Sequence, residues 1–341
     1  MEIPQNEKED NGFDSLWRES GLSPSRLSEN EQPDVPCVHI KISTSRSLRM
    51  PTPIIDFRVS CPIPEGLDRY LKPTGRLADY AKHYGDRVFG NEEEHRYMKP
   101  EEFIAFLDEQ GVDKAVIKTS DMTTILGTKF PADVLHEYIK DYPDRLIGTA
   151  GCDPFRGMDA LRDLERDVKE YGLRGVNMGP WELGLHANDK KFYPVYAKCV
   201  ELGIPVLLHT SMNLSSSNLL DFGRPIYLDE VARDFPELRI VAVHGGWPWI
   251  LEMIAVSWRH PNLYIEVSGT MPKYIATPDT GWEPLIRYGN SVLKNKILWA
   301  SNWPMINPKE SLAEFDKFPL KDDVKRLWFG GNALKVLRLE E

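Results

Sequence analysis

Residues 203–249, "GIPVLLHTSMNLSSSNLLDFGRPIYLDEVARDFPELRIVAVHGGWPW", decide the fold. Two short β-rich runs, "IPVLLH" (204–209) and "LRIVAVH" (238–244), each end on a histidine, with a helical segment between them. Strands apolar along their whole length are buried on both faces, as in a parallel sheet covered by helices. Working outward, runs of the same kind recur at 54–59, 114–119, 145–150, 173–178, 263–268 and 296–301. Helical segments with ordinary ends separate them: "PEEFIAFLDEQG" opens on Pro100 and stops at Gly111, and "DKKFYPVYAKCVELG" stops at Gly203. Eight strands alternating with helices predict an α/β fold, a parallel (β/α)8 TIM-type barrel. A doubly wound open sheet is the runner-up, but it usually carries a glycine-rich phosphate loop after its first strand, and "DFRVSCPIPEG" (56–66) is not one. The last stretch, "KDDVKRLWFGGNALKVLRL" (321–339), predicts a helix pair that closes the barrel.

Composition narrows the setting. The chain has 341 residues, 41% of them hydrophobic, enough to bury a full core. A formal net charge of −10 argues against a nucleic-acid partner, which needs a basic face. No apolar window is long enough to span a membrane, and the first twenty residues, with Glu2, Glu7, Lys8, Glu9 and Asp10, do not read as a secretory signal. The cysteines, Cys37, Cys61, Cys152 and Cys199, have no paired spacing and read as reduced packing residues of a cytoplasmic protein.

Residues 1–52 are polar and rich in Ser, Glu, Asn and Pro, an extended arm in front of a barrel over 53–341. Within the arm only "FDSLWRESGL" (13–22) places Phe13, Leu16 and Trp17 at helical spacing. So short an amphipathic helix is not stable alone and is expected to dock on its own barrel or on a neighbouring subunit.

Barrel chemistry sits at the carboxyl ends of the strands. Those ends read Asp56, Arg58 and Ser60, then Asp153, Asn177, His209, His244, Glu266 with Ser268, and Asn302. His209 and His244 end adjacent strands and are expected to converge on the mouth, where a neutral imidazole serves as a metal ligand or a proton carrier. Trp181, Trp247, Trp249 and Trp303 follow strand ends in "GPW", "GWPW" and "NWP"; they either line a pocket for a flat or apolar ligand or pack the loops together. The loop "NLSSSN" (213–218) is a candidate lid or an ordinary surface loop.

Four stretches, "NDKKFYPVYAKCVELGIPVLLHT" (188–210), "GRPIYLDEVARDFPELRIVAVHGGWPW" (223–249), "MIAVSWRHPNLYIEVSG" (253–269) and "NKILWASNWPM" (295–305), resemble the amidohydrolase superfamily in order and spacing. The branch they resemble is the amidohydrolase-related one that includes decarboxylases of aminocarboxymuconate semialdehyde and of γ-resorcylate. The resemblance implies a distorted barrel and a metal held by an H-x-H or E-x-H pair on the first strand, a histidine on the fifth and an aspartate on the eighth, with a further histidine on the sixth. His209 and His244 fit that pattern, but Asp56-Phe57-Arg58 stands where the first pair belongs and Asn302 where the aspartate belongs. Arg58 has no lone pair to give, and Asn302 offers only a neutral oxygen.

A mixed set of Asp56, His209, His244 and Glu266 is the remaining candidate for one divalent transition metal, zinc first, then manganese or iron; no organic cofactor is expected. Asp56 and Glu266 read equally as ion-pair partners of Arg58, and Arg58 itself as a fork for a substrate carboxylate. The resemblance implies a metal-dependent hydrolase or decarboxylase acting on a small carboxylate. In that reading His244, His209 and Arg58 are the catalytic candidates, and Arg58, Asn177, Trp181, Trp247, Trp303 and Asn302 bind substrate. The alternative is a metal-depleted, non-catalytic subunit in a homo- or hetero-oligomer with another amidohydrolase-like chain, including a dinuclear-iron oxygenase component.

Overall fold

The computed structural model describes residues 52–71, 76–84 and 96–339, all within one compact unit, Met50–Glu341. The arm and the expected helix over 13–22 lie outside the described residues. Eight parallel strands form one sheet: β1 (Ile55–Ser60), β2 (Lys114–Lys118), β3 (Leu146–Gly151), β4 (Val176–Met178), β5 (Val206–His209), β6 (Ile240–Val243), β7 (Leu263–Val267) and β8 (Ile297–Trp299). Each falls within or beside a run picked out by its β-branched and apolar residues. The strands neighbour one another in chain order, as a barrel requires and a doubly wound sheet does not.

The barrel closes between its last and first strands. Val59 bridges Trp303, and the Ser60 amide donates to the Trp303 carbonyl at 2.9 Å. The register of β1 on β2 shifts between Asp56 and Val59, so β1 bulges at the residues that face the mouth. His209 of β5 pairs with Val243 of β6, and Val243 with Glu266 of β7, which places the two histidines and this glutamate on three consecutive strands.

Two apolar layers hold the barrel. The larger lies between strands and outer helices, where Phe103 and Leu107 of the helix Pro100–Gln110 and Val195, Tyr196 and Cys199 of Tyr193–Leu202 are buried. Both helices end as expected, on Gly111 and Gly203 in the left-handed conformation. The smaller layer fills the barrel interior with Ile55, Phe57, Val116, Ile147, Leu207, Val241 and Leu298, and packs against Ala333, Val336 and Leu337 of the last helix, Asn332–Leu337. The C-terminal segment thus closes the barrel, helped by Asn332 Nδ2 donating to the Ile297 carbonyl at 2.7 Å. A π-helical turn, Leu327–Gly331, joins this helix to Asp322–Arg326. Gly330 is required there: a Cβ would stand 1.8 Å from the Pro53 carbonyl oxygen.

Candidate active site

The bulge in β1 sends two charged residues to different tasks. Asp56 is fully buried and accepts from the Ser301 amide at 2.9 Å, from the Ser301 hydroxyl at 2.5 Å and from the Arg58 amide at 3.3 Å. Burial pushes its carboxyl up to about 7, against the lowering effect of those bonds. Arg58 crosses the barrel, its Nη1 donating to Asn177 Oδ1 at 2.7 Å, while Asn177 Nδ2 donates to the Thr119 carbonyl at 2.9 Å. Asn177 therefore spends both ends of its amide holding the guanidinium in place.

His209 and His244 meet as expected, with ring centroids 4.9 Å apart and nearly perpendicular planes. Burial drives His209 down to about 3, with the Arg58 charge adding to the effect; burial, His209 and Arg58 together hold His244 well below its ordinary range. Both shifts favour the neutral imidazole. His244 takes a left-handed backbone conformation at φ 74°, its Nδ1 lies 2.9 Å from Ser268 Oγ, and its amide donates to Glu266 at 3.0 Å. Burial raises the Glu266 carboxyl, opposed chiefly by Arg58.

Three residues beyond β8 stands Asn302, also left-handed at φ 57°. Its Oδ1 accepts from Lys118 Nζ at 2.6 Å, and that ammonium lies 3.2 Å from the Tyr70 hydroxyl. Lys118 ends β2, and Tyr70 sits on the helix Pro64–Leu71 that follows β1. Neither was singled out from the sequence. A lysine closing the apolar run "AVI" (115–117) at a strand's carboxyl end was the available signal for Lys118; no spacing rule leads to Tyr70.

These residues border an open cleft at the mouth, lined by Arg58, Arg69, Lys118, His209, His244 and Asn302 among others. A neighbouring hollow shares both histidines and Asn302 and reaches Trp247. Of the tryptophans, Trp181 lines the cleft with its ring against His209, and Trp247 lines the hollow while donating to the Thr280 carbonyl at 3.0 Å. Trp303 is buried against Phe103 and Phe106 instead and takes the loop-packing role. Asp153 caps the turn after β3, accepting from the Phe155 and Thr124 amides. The loop 213–218 is tied down by Asn218 Nδ2 donating to the Trp181 carbonyl at 2.8 Å.

The four expected metal ligands differ in how far their donors are engaged: Glu266 Oε1 and His209 Nδ1 are buried with no hydrogen-bond partner among the described residues. Among the described residues no group of three or more His, Cys, Asp and Glu side chains is placed to hold an ion. The physical reason is visible: Asp56 gives its oxygens to Ser301 and Arg58, Glu266 gives one to the His244 amide, and Lys118 occupies the Asn302 oxygen.

An eight-stranded barrel with paired histidines at the ends of its fifth and sixth strands defines a barrel of the amidohydrolase type. Residues 79–339 match the Amidohydro_2 family, described as amidohydrolase, and the chain belongs to that family, in the aminocarboxymuconate semialdehyde decarboxylase-like branch. A 2-amino-3-carboxymuconate-6-semialdehyde decarboxylase from Dictyostelium discoideum is 22% identical over 301 residues, covering 76% of this chain and 82% of the relative. Among solved structures, an uncharacterized TIM-barrel protein from Bordetella bronchiseptica superposes with a TM-score of 0.68 at 27% identity, covering 84% of this chain and 98% of its own. A 5-carboxyvanillate decarboxylase from Novosphingobium aromaticivorans, complexed with manganese and a nitrobenzoic acid, gives 0.61 at 18% identity, covering 83% and 94%, a likeness of fold. Among the described residues no helix is long and apolar enough to cross a membrane.

Proposed function

We propose that this protein is a decarboxylase-type lyase that takes a small carboxylate into the barrel mouth. The observation that carries the reading is the charge of the cleft: Arg58, Arg69 and Lys118 line it against a single carboxylate, Glu182, which is itself paired with Arg69 at 3.5 Å. Cations in a cleft, two of them buried, that outnumber their carboxylate partners call for an anion. Arg58 Nε, His209 Nδ1 and Trp181 Nε1 are buried in the same lining with no hydrogen-bond partner among the described residues, and a bound ligand supplies one. Arg58 receives the carboxylate, with its fork aimed by Asn177, and the neutral imidazoles of His209 and His244 accept hydrogen bonds from the remaining polar groups of the substrate. A relative acts on 2-amino-3-carboxymuconate-6-semialdehyde and a structural neighbour on 5-carboxyvanillate, both small carboxylates.

That neighbour holds manganese, but the donors in this chain do not suit a tightly held divalent ion, with a guanidinium and an ammonium standing among the two histidines. No step is assigned to a metal. The guanidinium of Arg58 and the ammonium of Lys118 beside the histidines also favour a second reading, a non-catalytic subunit beside an active paralogue.

Carbon dioxide release from 5-carboxyvanillate, 2-amino-3-carboxymuconate-6-semialdehyde and related carboxylates separates the two. Turnover by the isolated chain, abolished in Arg58→Met, is the expected result; a chain inert toward the whole series and binding none of it sinks the lyase reading.

A further inference from the structure

Loss of a carboxyl group leaves a carbon that must gain a proton, and the donor has to reach it from the lining of the cleft. Asp56 and Glu266 do not line the cleft. Tyr70 and Lys118 do.

The two form a chain with Asn302. Tyr70 is 4% exposed and Lys118 9%, and the lysine rises from β2 beside Val116 and Ile117. An ammonium so placed loses its hydration and is kept only by good partners. Lys118 Nζ has Tyr70 OH at 3.2 Å and Asn302 Oδ1 at 2.6 Å, which use two of its three donors and leave the third for a ligand in the cleft.

We propose that Tyr70 is the catalytic acid of this site, delivering its phenolic proton to the carbon from which the carboxyl group departs, with Lys118 as the positioning residue that holds the phenolate. The inference rests on the lyase reading above. In the step, the bond from the substrate carbon to the carboxyl carbon breaks and its electron pair stays on the substrate carbon. Carbon dioxide leaves, the Tyr70 O–H bond breaks and the new C–H bond forms. The phenolate is held by the Lys118 ammonium and the Arg69 guanidinium until solvent returns one proton, so each carbon dioxide released consumes one.

The surroundings suit the role. Burial alone raises the Tyr70 phenol, but the charges of Lys118 on β2 and Arg69 on its own helix, the two largest opposing causes, bring it below its ordinary value. Burial lowers the Lys118 ammonium, with Arg58 and Arg69 adding to the effect and Tyr70 opposing it. Glu182 and Tyr80 act on Arg69, and Glu266 on Arg58. Acid and partner are thus drawn toward a common range, where proton transfer between them costs little.

The test uses the full chain labelled at tyrosine Cζ. In carbon NMR, one resonance, assigned by its loss in Tyr70→Phe, is expected to titrate below the other tyrosines and to move upward in Lys118→Met. A Tyr70 signal that titrates with or above the exposed tyrosines overturns the proposal. With 5-carboxyvanillate or whichever carboxylate of the series turns over, Tyr70→Phe is expected to lower kcat by about 100-fold or more with little change in KM. Lys118→Met is expected to lower kcat too, with part of the loss recovered in Lys118→Arg. Wild-type kcat in Tyr70→Phe alongside an inactive Arg58→Met overturns the acid and leaves the lyase standing. A wild-type chain inert across the series overturns both.

Discussion

Lys118 Nζ stands 2.6 Å from Asn302 Oδ1, an ammonium from β2 donating to a residue three beyond β8, where a family relative is expected to present a metal-binding aspartate. The amide and the lysine fit each other: a neutral oxygen accepts from the cation without adding a buried negative charge. Asn302→Asp is therefore expected to create an ion pair with Lys118 and not a metal site. Elemental analysis after manganese or zinc loading checks this, with the variant remaining well below one ion per chain. Stoichiometric, chelator-sensitive metal in Asn302→Asp, or in the unaltered chain, would show that the ammonium yields to an ion.

Asp56 and Ser301 join the first strand to the last. Ser301→Ala removes the hydroxyl that donates to Asp56 Oδ2 and leaves a buried carboxyl oxygen unsatisfied, a loss of about 1–3 kcal/mol in urea unfolding. The Asp56 carboxyl is pushed up to about 7 in the folded chain from an ordinary 3.8, so between these values the folded state binds more protons than the unfolded one. Its contribution to stability accordingly falls as pH rises from about 4 to about 7. Asp56→Asn is expected to remove that downward slope, seen as a steeper net rise of stability over the same window; an unchanged slope would show Asp56 already ionised.

The histidines act in the opposite direction. His209, held down to about 3 against an ordinary 6.5, takes up its proton on unfolding, so its share of stability is fully present above 6.5 and is lost as pH falls toward 3. His209→Asn is expected to flatten the acid limb of the stability curve in chelator-treated protein. Carbon or nitrogen NMR of the wild-type imidazole gives a second check: a ring that protonates near 6.5 in the folded chain would contradict the buried, Arg58-facing environment.

The frame of this site was legible before its contents. Eight apolar runs with helices between them fix a barrel, and a barrel fixes which residues reach the mouth, so His209, His244, Arg58 and Asn302 were within reach of pattern reading. What the side chains do to one another was not. Asp56 is a plausible ligand in the sequence, and only the fold shows that Ser301, 245 residues away, takes both of its oxygens. Trp303 follows a strand end as Trp181 does, yet one is drawn into the aromatic layer of Phe103 and Phe106 and the other remains against His209. Tyr70 comes from a helix, and no strand-based rule for barrel sites reaches it.

Gly269 holds His244 in place through the absence of a side chain. It sits two residues beyond β7 at φ 73°, and a Cβ there would stand 2.8 Å from His244 Nδ1, the atom that meets Ser268 Oγ. Gly269→Ala combines a left-handed backbone that alanine disfavours, about 1–3 kcal/mol, with a contact that only movement of the imidazole relieves. Because His244 is itself fixed by a left-handed backbone and by the Glu266 bond to its amide, the ring has little freedom to yield except by losing Ser268. The expected outcome is a moderately destabilised protein with a shifted His244 imidazole resonance and weakened binding of the carboxylate that the wild-type chain takes. Ser268→Ala, which removes the same partner without crowding the ring, should reproduce the shift with less loss of stability. A Gly269→Ala protein with unaltered His244 resonances would show that the loop after β7 moves aside and that the glycine does not position the ring.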